Sequence, residues 1–590
     1  MNLLAAASES SLPLWMVGAY LVALLGLGIF SSTLFRGTSK DYFVASRSIG
    51  PFMLLMSVFG TTMTGFALVG STGKAFMTGV ATFGAVAVWS GIIHSSVFFI
   101  IGTRLWAIGK RLGYVTQVQF FRERFQSHTL GTVLFVLLVL FIIPYLLIGI
   151  ISAGKFMEGT ADITPWKTGL VICSVVLTYV FLGGVRSAAW ANTFQTLVFM
   201  LTGVVAFAMI AKAVAAKTDE GPGTFLQNVK RSTEFVEEHK PARLTRGIHP
   251  ATLAEYQEYE TSLGKYEEYE SLKDTWDALV QDMGGEELAA TVMDKPELVE
   301  KPEFMASPKP SMTKLLWITY LFIPLSIGMF PHVFQHWLTA KSAKTFRLAI
   351  VAHPICIAVV WLPCVIIGTW AAGLHEFALK GELQPENIIE PFADLKNPSD
   401  VLGVMVGHLV QSPWLTGLLM IGVLAAIMSS LDSQFACLGT MFTNDIILPW
   451  KGKDYFSDSD TVKIARYFVV GVVVVAYLLS FALMKTASVF NLGMWCFSGF
   501  SALFPIVFAA LYWKRATAVG AYACIAVTAV LWVLWFQESG YGANKGFTVL
   551  GMLPMAPLTI SSALALIIGS LVSRAPEERQ INKFFPSKAR

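Results

Sequence analysis

The chain has few charged residues and few cysteines, and both shortages limit what it can be. Asp, Glu, Lys and Arg together make up 14% of its 590 residues, whereas soluble domains carry about 25%. A soluble globular protein is therefore excluded. The six cysteines all stand in apolar segments and show no CxxC spacing, so we expect them to be small packing residues, neither disulfides nor metal ligands.

Several sequence signatures are also missing. The chain contains no GxxxxGK[ST] loop, no nucleophile elbow and no zinc motif, which argues against an activity driven by a bound nucleotide. Residues 1–15 have no basic residue ahead of the first apolar run. We therefore expect no cleaved signal peptide.

Long apolar runs are what the sequence has in abundance. The hydrophobic fraction is 55% and the mean hydropathy is +0.61, and many runs reach the roughly 20 residues that cross a bilayer. The sequence predicts an all-α polytopic membrane protein with about thirteen transmembrane helices. The predicted spans are 13–35, 51–73, 79–103, 129–157, 166–185, 189–213, 312–338, 346–374, 412–447, 463–485, 487–512, 517–536 and 554–573.

Basic residues fall on every second loop between these spans. Since cytoplasmic loops carry an excess of Lys and Arg, we expect the N-terminus outside and the C-terminus in the cytoplasm, in the inner membrane of a bacterium. We expect the protein to lie in a lipid bilayer and to bind no nucleic acid. The residues that set this orientation include Arg36, Lys40, Arg47, Arg104, Lys110, Arg111, Arg122, Arg124, Arg186, Lys341, Lys344, Arg347, Lys451, Lys453, Arg466, Lys514 and Arg515.

One polar insertion, residues 214–311, interrupts the apolar pattern on the predicted outer side. It holds 20 of the 39 acidic and 11 of the 43 basic residues, a formal charge of −9. The run at 254–280 places tyrosines and charges at helical spacings. It predicts a solvated extracellular helical hairpin, with partner docking or substrate gathering as the alternative.

The segment at 412–447 carries polar side chains where lipid is expected, namely Ser429, Ser430, Asp432 and Ser433. A carboxylate at membrane depth costs about 2.5–3.5 kcal/mol on the lenient insertion scale, so such residues are functional candidates. Hydroxyl and carboxylate oxygens are hard ligands that suit hard cations. The segment therefore predicts part of a cation-binding site in a transporter.

Two predicted spans contain residues that interrupt helices. Glycines and threonines crowd the second span, which fits either a broken helix whose carbonyls bind an ion or close packing through small residues. The seventh span contains prolines. Interruptions five spans apart are typical of an inverted-repeat transporter with a midplane site. The residues are Gly60, Thr61, Thr62, Thr64, Gly65, Gly70 and Gly73, then Pro324, Gly328 and Pro331.

Among the histidines of the apolar segments, three are candidates for a site. His332 and His336 are one helical turn apart, as in a pair of metal ligands, but no third ligand stands near them in the sequence. We therefore expect structural histidines. His94 is alone in its span and is expected to pack or to donate a hydrogen bond.

An ordered set of segments resembles the sodium:solute symporter family, over nearly the whole chain except the insertion. The resemblance implies a five-plus-five inverted repeat, 51–213 and 312–512, with one leading helix and, in 513–590, two trailing helices and a cytoplasmic tail. It also implies alternating-access uptake of a small organic solute coupled to inward movement of Na⁺. The segments are DYFVASRSIG, MTGFALVG, YVFLGGVRSAAWANTFQ, FPHVFQHWLTAKS, SSLDSQF, FTND and LYWKRAT.

The resemblance also implies two cation sites. The main sodium site takes backbone carbonyls and hydroxyls of the two polar spans, at Gly60, Met63, Ala426, Ser429 and Ser430. Where relatives with a second site have an aspartate this chain has Asn192, and where they have serines it has Asp432 and Ser433. We expect a second cation, sodium or a proton, at these three residues. The alternative is a carboxylate that only hydrogen bonds Asn192 or backbone in an inner vestibule.

The residues expected to face the solute differ from those of the known branches of the sodium:solute symporter family. Ala67, Val86 and Ile323 replace polar residues of sodium/galactose members, which argues against a sugar. Thr62 replaces an acidic residue of the proline branch, and Ile327 an aromatic one. We expect an organic acid or amino acid. The expected lining residues are Thr62, Thr64, Phe66, Tyr145, Ile327 and Phe330.

Three alternatives remain at this level. A multispanning lipid or glycan transferase needs a catalytic cluster at a membrane face, and none is evident. A nutrient sensor with a transporter fold needs a signalling domain, for which the C-terminal tail is short. A uniport channel is disfavoured by buried ion ligands.

Overall fold

The computed structural model describes residues 11–240, 243–244, 313–379, 392, 395, 397–410, 412–452, 455–484, 488–544 and 546–585. These residues are almost entirely helical and contain no β-strand. The helices are α1 (Leu12–Thr33), α2 (Ser39–Val44), α3 (Pro51–Thr62), α4 (Phe66–Thr78), α5 (Phe83–Leu112), α6 (Gln117–Arg124), α7 (His128–Ala161), α8 (Pro165–Ala215), α9 (Phe225–His239), α10 (Lys314–Gly328), α11 (Pro331–Thr339), α12 (Phe346–Leu379), α13 (Val401–Leu409), α14 (Pro413–Lys451), α15 (Asp458–Leu483), α16 (Val489–Tyr512), α17 (Ala518–Glu538), α18 (Met555–Val572) and α19 (Glu578–Phe584).

Ten of the described helices are long and apolar enough to cross a membrane, and two bent pairs, α3–α4 and α10–α11, raise the number to twelve. This confirms the predicted all-α polytopic architecture. Two predicted spans, 166–185 and 189–213, lie in the single element α8, which has 51 residues and non-helical dihedrals at Gly184. The count of thirteen therefore stays a prediction.

Gly184 lies where α8 bends, with φ 56° and ψ −140°. This conformation strains any residue that has a Cβ. A Cβ here would also come within 2.5 Å of the Tyr42 carbonyl. Glycine therefore permits both the bend and the close approach of α2. At a rise of 1.5 Å per residue, α8 is far longer than the roughly 30 Å hydrocarbon core, so one straight crossing does not fit it.

The two bent pairs confirm the prediction that the second and seventh spans are broken. The axis turns by 56° between α3 and α4, and by 54° between α10 and α11. Each bent pair begins one of the two predicted repeats. The breaks leave backbone groups outside the helical hydrogen-bond pattern, and such groups persist at membrane depth only inside protein or around a ligand.

The cysteines and one histidine show how the interior is packed. All six cysteines are buried and free, as expected from their apolar segments.

His94 has a histidine partner: its Nδ1 lies 3.0 Å from Nε2 of His353, and this contact joins α5 to α12. The rings of Phe59 and Phe98 pack against His353. No local pattern predicts this partner, because 259 residues separate the two histidines.

The first part of the insertion is packed against the membrane helices. In α9, Phe235 and Val236 are buried, and Val236 lies against Gly373 of α12. The Ser232 hydroxyl donates to the Ala211 carbonyl at 2.9 Å. The predicted hairpin at 254–280 lies outside the described residues.

Candidate cation and solute site

The break after α3 begins at Met63, whose backbone is extended with φ −88° and ψ 91°. Thr64 stabilises the restart of the helix, since its hydroxyl accepts from the Phe66 backbone N–H at 3.0 Å. Gly65 is required here because a Cβ would overlap the Ser152 side chain of α7. A glycine, a threonine and a neighbouring helix together fix the break.

The break between α10 and α11 lies at Phe330, which is extended with φ −66° and ψ 113°. Pro331 follows as the first residue of α11, a position where its missing N–H is not needed and its fixed φ suits the helix. The residue before a proline also avoids the helical region. These two preferences account for the break.

Three of the five predicted ligands of the main cation meet at the first break. The Ser429 hydroxyl donates to the Gly60 carbonyl and to the Ala426 carbonyl, both at 2.8 Å. All three residues are buried. Carbonyl oxygens have two lone pairs and a hydroxyl oxygen also accepts, so this group offers converging hard oxygens to a cation. Ser429 thereby joins the broken α3 to α14.

The other two predicted ligands are buried beside them but make different contacts. The Ser430 hydroxyl donates to the Ile427 carbonyl at 2.9 Å, one turn back along α14. Met63 donates its backbone N–H to the carbonyls of Phe59 and Gly60, and its own carbonyl belongs to the extended break. The ligand roles of all five residues stay predictions.

The three residues of the predicted second site do meet. Asp432 is fully buried and accepts from the Tyr179 hydroxyl at 2.9 Å and from the Ser433 hydroxyl at 3.0 Å. With its amide nitrogen toward the carboxylate, Asn192 donates to both Asp432 oxygens at 3.1 Å and to the Ser429 carbonyl at 2.8 Å. His336 Nε2 lies 2.9 Å from the Ser433 hydroxyl. Within the described chain, every partner of this carboxylate is uncharged in its usual form.

The absence of a basic partner matters for Asp432. Removing a carboxylate from water costs several kcal/mol even after relaxation, and hydrogen bonds offset only part of that. A carboxyl group in this setting is therefore stabilised either by protonation or by a nearby cation. Tyr179 and Asn192 come from either side of the bend in α8, so the two segments of that helix both hold the carboxylate in place.

Four of the predicted solute-facing residues lie around one aromatic cluster. The ring of Tyr145 lies 5.2 Å from Phe330 and 5.2 Å from Phe497, and Phe66 lies 5.0 Å from Phe497. The Tyr145 side chain also lies beside Thr64. These spacings suit favourable edge and tilted ring contacts. Phe497 of α16 completes the cluster, although no motif in the sequence marked it.

The two remaining predicted residues are less directly placed. The Thr62 hydroxyl donates to the Phe59 carbonyl at 2.8 Å, back along its own helix. Ile327 is fully buried in the last turn before the second break. Their contact with a solute stays a prediction.

His332 adds a polar group to the aromatic cluster. Its ring stacks on Phe330 at 5.2 Å and meets Tyr145 edge-on at 5.5 Å. It is fully buried, and neither ring nitrogen has a hydrogen-bond partner in the described chain. A buried polar group without a partner costs about 1–3 kcal/mol. The sequence predicts a structural role for His332, but its nitrogens have no structural partner among the described residues.

Residues 397–400 pack against α4 and the start of α16. The Pro398 carbonyl packs so closely on Gly73 of α4 that a Cβ there would overlap it. The Ser399 hydroxyl accepts from the Val489 backbone N–H at 3.3 Å, at the start of α16. This segment therefore contacts residues of both predicted repeats.

Comparison with known proteins gives the arrangement a family. The family model described as "Sodium:solute symporter family" matches residues 42–249 and 269–527. The chain belongs to the sodium:solute symporter family. As a member of it, the protein is a sodium-coupled transporter of a small organic solute, with Na⁺ as the coupling ion, and not an enzyme. This excludes the transferase alternative, and the apolar helices make the symporter an integral membrane protein.

Individual relatives are distant but cover the symporter almost completely. Sodium/proline symporter 2 of Staphylococcus saprophyticus is 23% identical over 95% of this chain and 93% of its own. The osmoregulated proline transporter OpuE of Bacillus subtilis is 24% identical over 96% of both. The substrate-bound, outward-open structure of a Na⁺-coupled sialic acid symporter aligns with a TM-score of 0.67 and 15% identity, over 96% of this chain and 99% of that one. This structural likeness shows a common fold.

Proposed function

We propose that the main sodium ion binds among the oxygens of Gly60, Met63, Ala426, Ser429 and Ser430. The hydrogen bonds of Ser429 to Gly60 and Ala426 carry this proposal, because they bring three of the five oxygen donors together. A Na⁺ ion there would contact both the break in α3 and the middle of α14. Ion binding would then favour one relative position of the two helices, which is the property that couples an ion to alternating access.

A second cation, Na⁺ or a proton, binds at Asp432 with Ser433 and Asn192. The burial of Asp432 among uncharged partners supports this role. A cation supplies the charge that the carboxylate lacks. The site lies one helical turn from Ser429 along α14, on the cytoplasmic side under the orientation that the basic loops predict.

The solute is a small organic acid or amino acid held in the aromatic cluster. Phe66, Tyr145, Phe330 and Phe497 provide apolar walls, and an imidazole N–H of His332 provides a donor for a carboxylate. Two relatives are named as proline transporters, which supports an amino or imino acid. Thr62 replaces the acidic residue expected of the proline branch, which favours a solute without a strong demand for a buried negative partner.

The symporter lies in the plasma membrane of a bacterium with its N-terminus outside and its C-terminus in the cytoplasm. The alternation of basic loops supports this orientation. The protein is surrounded by the lipid bilayer, and no feature of the described surface indicates binding of nucleic acid.

The test of this function is uptake into proteoliposomes. A panel of amino acids and short organic acids is offered with an inward sodium gradient, and then with potassium replacing sodium. We expect accumulation of at least one solute above its external concentration with sodium only. Equal uptake in potassium would overturn the coupling.

A further inference from the structure

A cavity of about 560 Å³ opens at the end of the molecule away from the segment 397–400. Four basic side chains line it, and none of the acidic residues that the structure describes does. The basic residues come from separate parts of the chain: the α2 region, the end of α5 and the segment after α11. They are Lys40, Arg47, Lys110 and Lys341. We call this cavity the basic vestibule.

Most of the acidic groups beside the basic vestibule already have cationic partners. Asp41 accepts two hydrogen bonds from Arg186, at 2.5 and 3.1 Å. Asp445 pairs with Arg122 at 3.2 Å. At the rim, the Ser39 backbone N–H donates to Asp458. The negative charge of Asp458 offsets one of the four positive charges of the lining residues. The four lining cations therefore leave an excess of positive charge, and none of them makes an ion pair within the described chain.

Arg47 gives the most direct evidence for a ligand in the basic vestibule. Its Nη2 donates to the carbonyls of Gly109 and Tyr114, at 3.0 and 2.7 Å, whereas its buried Nη1 has no partner in the described chain. Arg47 follows Ala45 and Ser46 in a left-handed stretch, with φ values of 47°, 51° and 55°. Three successive residues with a Cβ in this region are strained, and such strain clusters at ligand clamps and switch regions.

An excess of lysines at the cytoplasmic end also satisfies the positive-inside bias. That bias accounts for charge on loops, but it does not require four cations around one cavity or a buried guanidinium nitrogen without an acceptor. A cleft lined by charge of one sign concentrates ions of the other sign about 10- to 1,000-fold.

We propose that the basic vestibule binds the carboxylate of the solute as it leaves toward the cytoplasm, and that the solute carries net negative charge. This inference rests on the proposed function and narrows its substrate class. The same positive field lowers the local concentration of Na⁺, so it favours release of the coupling ion and opposes its return. A zwitterion such as proline, with no net charge, gains much less from the field.

A cysteine reporter measures the field without transport. Val115 lines the basic vestibule and is half-buried, and all six native cysteines are buried, so Val115→Cys supplies the accessible thiol. Its rate of modification is compared for a negatively and a positively charged methanethiosulfonate, each divided by the rate with free cysteine. We expect the negative reagent to be favoured at least about tenfold at low salt, and the preference to vanish near 1 M salt because screening is then short-ranged.

Two charge-matched variants distinguish the effect of the charges that line the basic vestibule from the effect of other charges on the same face. Lys40→Gln, Lys110→Gln and Lys341→Gln together should bring the preference to within about threefold of free cysteine. Lys344→Gln, Arg347→Gln and Lys451→Gln remove the same charge from exposed positions outside the cavity, and should leave the preference in place. An equal effect of both triple variants overturns the proposal.

Protection of the thiol identifies the anion. Pyruvate should slow modification at a concentration at least about tenfold lower than proline does, in detergent and in phosphatidylcholine liposomes alike. Protection by inorganic phosphate alone, or only in phosphatidylglycerol liposomes, overturns the proposal in favour of a free phosphate or a lipid headgroup. Equal protection by pyruvate and proline also overturns it. Loss of sodium-driven uptake bears on the proposed function alone, because the labelling rates need no transport.

Discussion

The Ser429 hydroxyl donates to the Gly60 carbonyl at 2.8 Å, across 369 residues of sequence. Gly60 belongs to the first predicted repeat and Ser429 to the second, so this contact links the two halves of the symporter at the break in α3. A cation bound there would replace a single hydrogen bond by several ion–oxygen contacts between the same helices. The link between the halves would then depend on sodium.

Ser429→Ala should raise the sodium concentration for half-maximal uptake about tenfold, which corresponds to about 1.4 kcal/mol. The variant removes one oxygen ligand and leaves the fold, because the lost hydroxyl bonds only backbone carbonyls. Uptake in proteoliposomes over a sodium titration measures this. Ser480→Ala is the matched control: Ser480 is also buried and donates one turn back, to Tyr477. A similar shift in both variants would contradict the proposed ligand role.

Asp432→Asn should reduce the number of cations moved per solute. The variant keeps the shape of the side chain and one accepting oxygen, and it removes the charge that needs a counter-ion. The reversal potential of uptake in liposomes, over several sodium and proton gradients, gives the coupling ratio. Tyr179→Phe is the control, since it removes a hydrogen bond to the carboxylate and keeps the charge. An unchanged ratio in Asp432→Asn, with unchanged pH dependence, would refute the second cation site.

Shortening the insertion should preserve both sodium coupling and stability only if α9 is kept. Replacing residues 245–305 with a short Gly/Ser linker leaves the buried Phe235 and Val236 and the hydrogen bond from Val80 N–H to the Arg243 carbonyl. Replacing 222–305 removes these contacts, and a buried aromatic alone contributes about 3–5 kcal/mol. We therefore expect sodium-driven uptake from the shorter deletion, and a lower thermal unfolding temperature from the longer one. Loss of sodium coupling in a folded 245–305 deletion would give the insertion a role in transport.

Much of this fold is predictable because the signals are local. Gly60 and Gly65 mark one break and Pro331 marks the other, since each residue alters the backbone at its own position. The spacing of Ala426, Ser429 and Ser430 likewise places them on one face of a helix. These features need only a few neighbouring residues, and the structure has both breaks where the sequence predicts them.

The contacts that complete the site are long-range, and no local pattern announces them. Phe497 joins the aromatic cluster through Phe66 and Tyr145, more than 350 residues earlier in the chain. The contact of His94 with His353 and the packing of α9 on α12 are also long-range in the sequence. His332 shows a further limit: a histidine pair without a third ligand predicts structural residues, and only the three-dimensional surroundings show that neither nitrogen of His332 has a partner among the described residues.

His332→Phe should lower the apparent affinity for a carboxylate solute at least tenfold, with little change in sodium dependence. The substitution keeps the stacking on Phe330 and removes the donor that the proposal gives to the solute, and a hydrogen bond to a charged group contributes about 1.5–3 kcal/mol. Stability should hold or rise, because the variant also removes two buried nitrogens without partners. The affinities are compared by solute-dependent shifts in thermal unfolding at fixed sodium. His94→Phe is the control, since His94 is also buried but contacts His353 away from the aromatic cluster. Equal solute affinities in His332→Phe and the parent protein would show that the imidazole does not hold the solute, and the polar end of the pocket would then lie elsewhere.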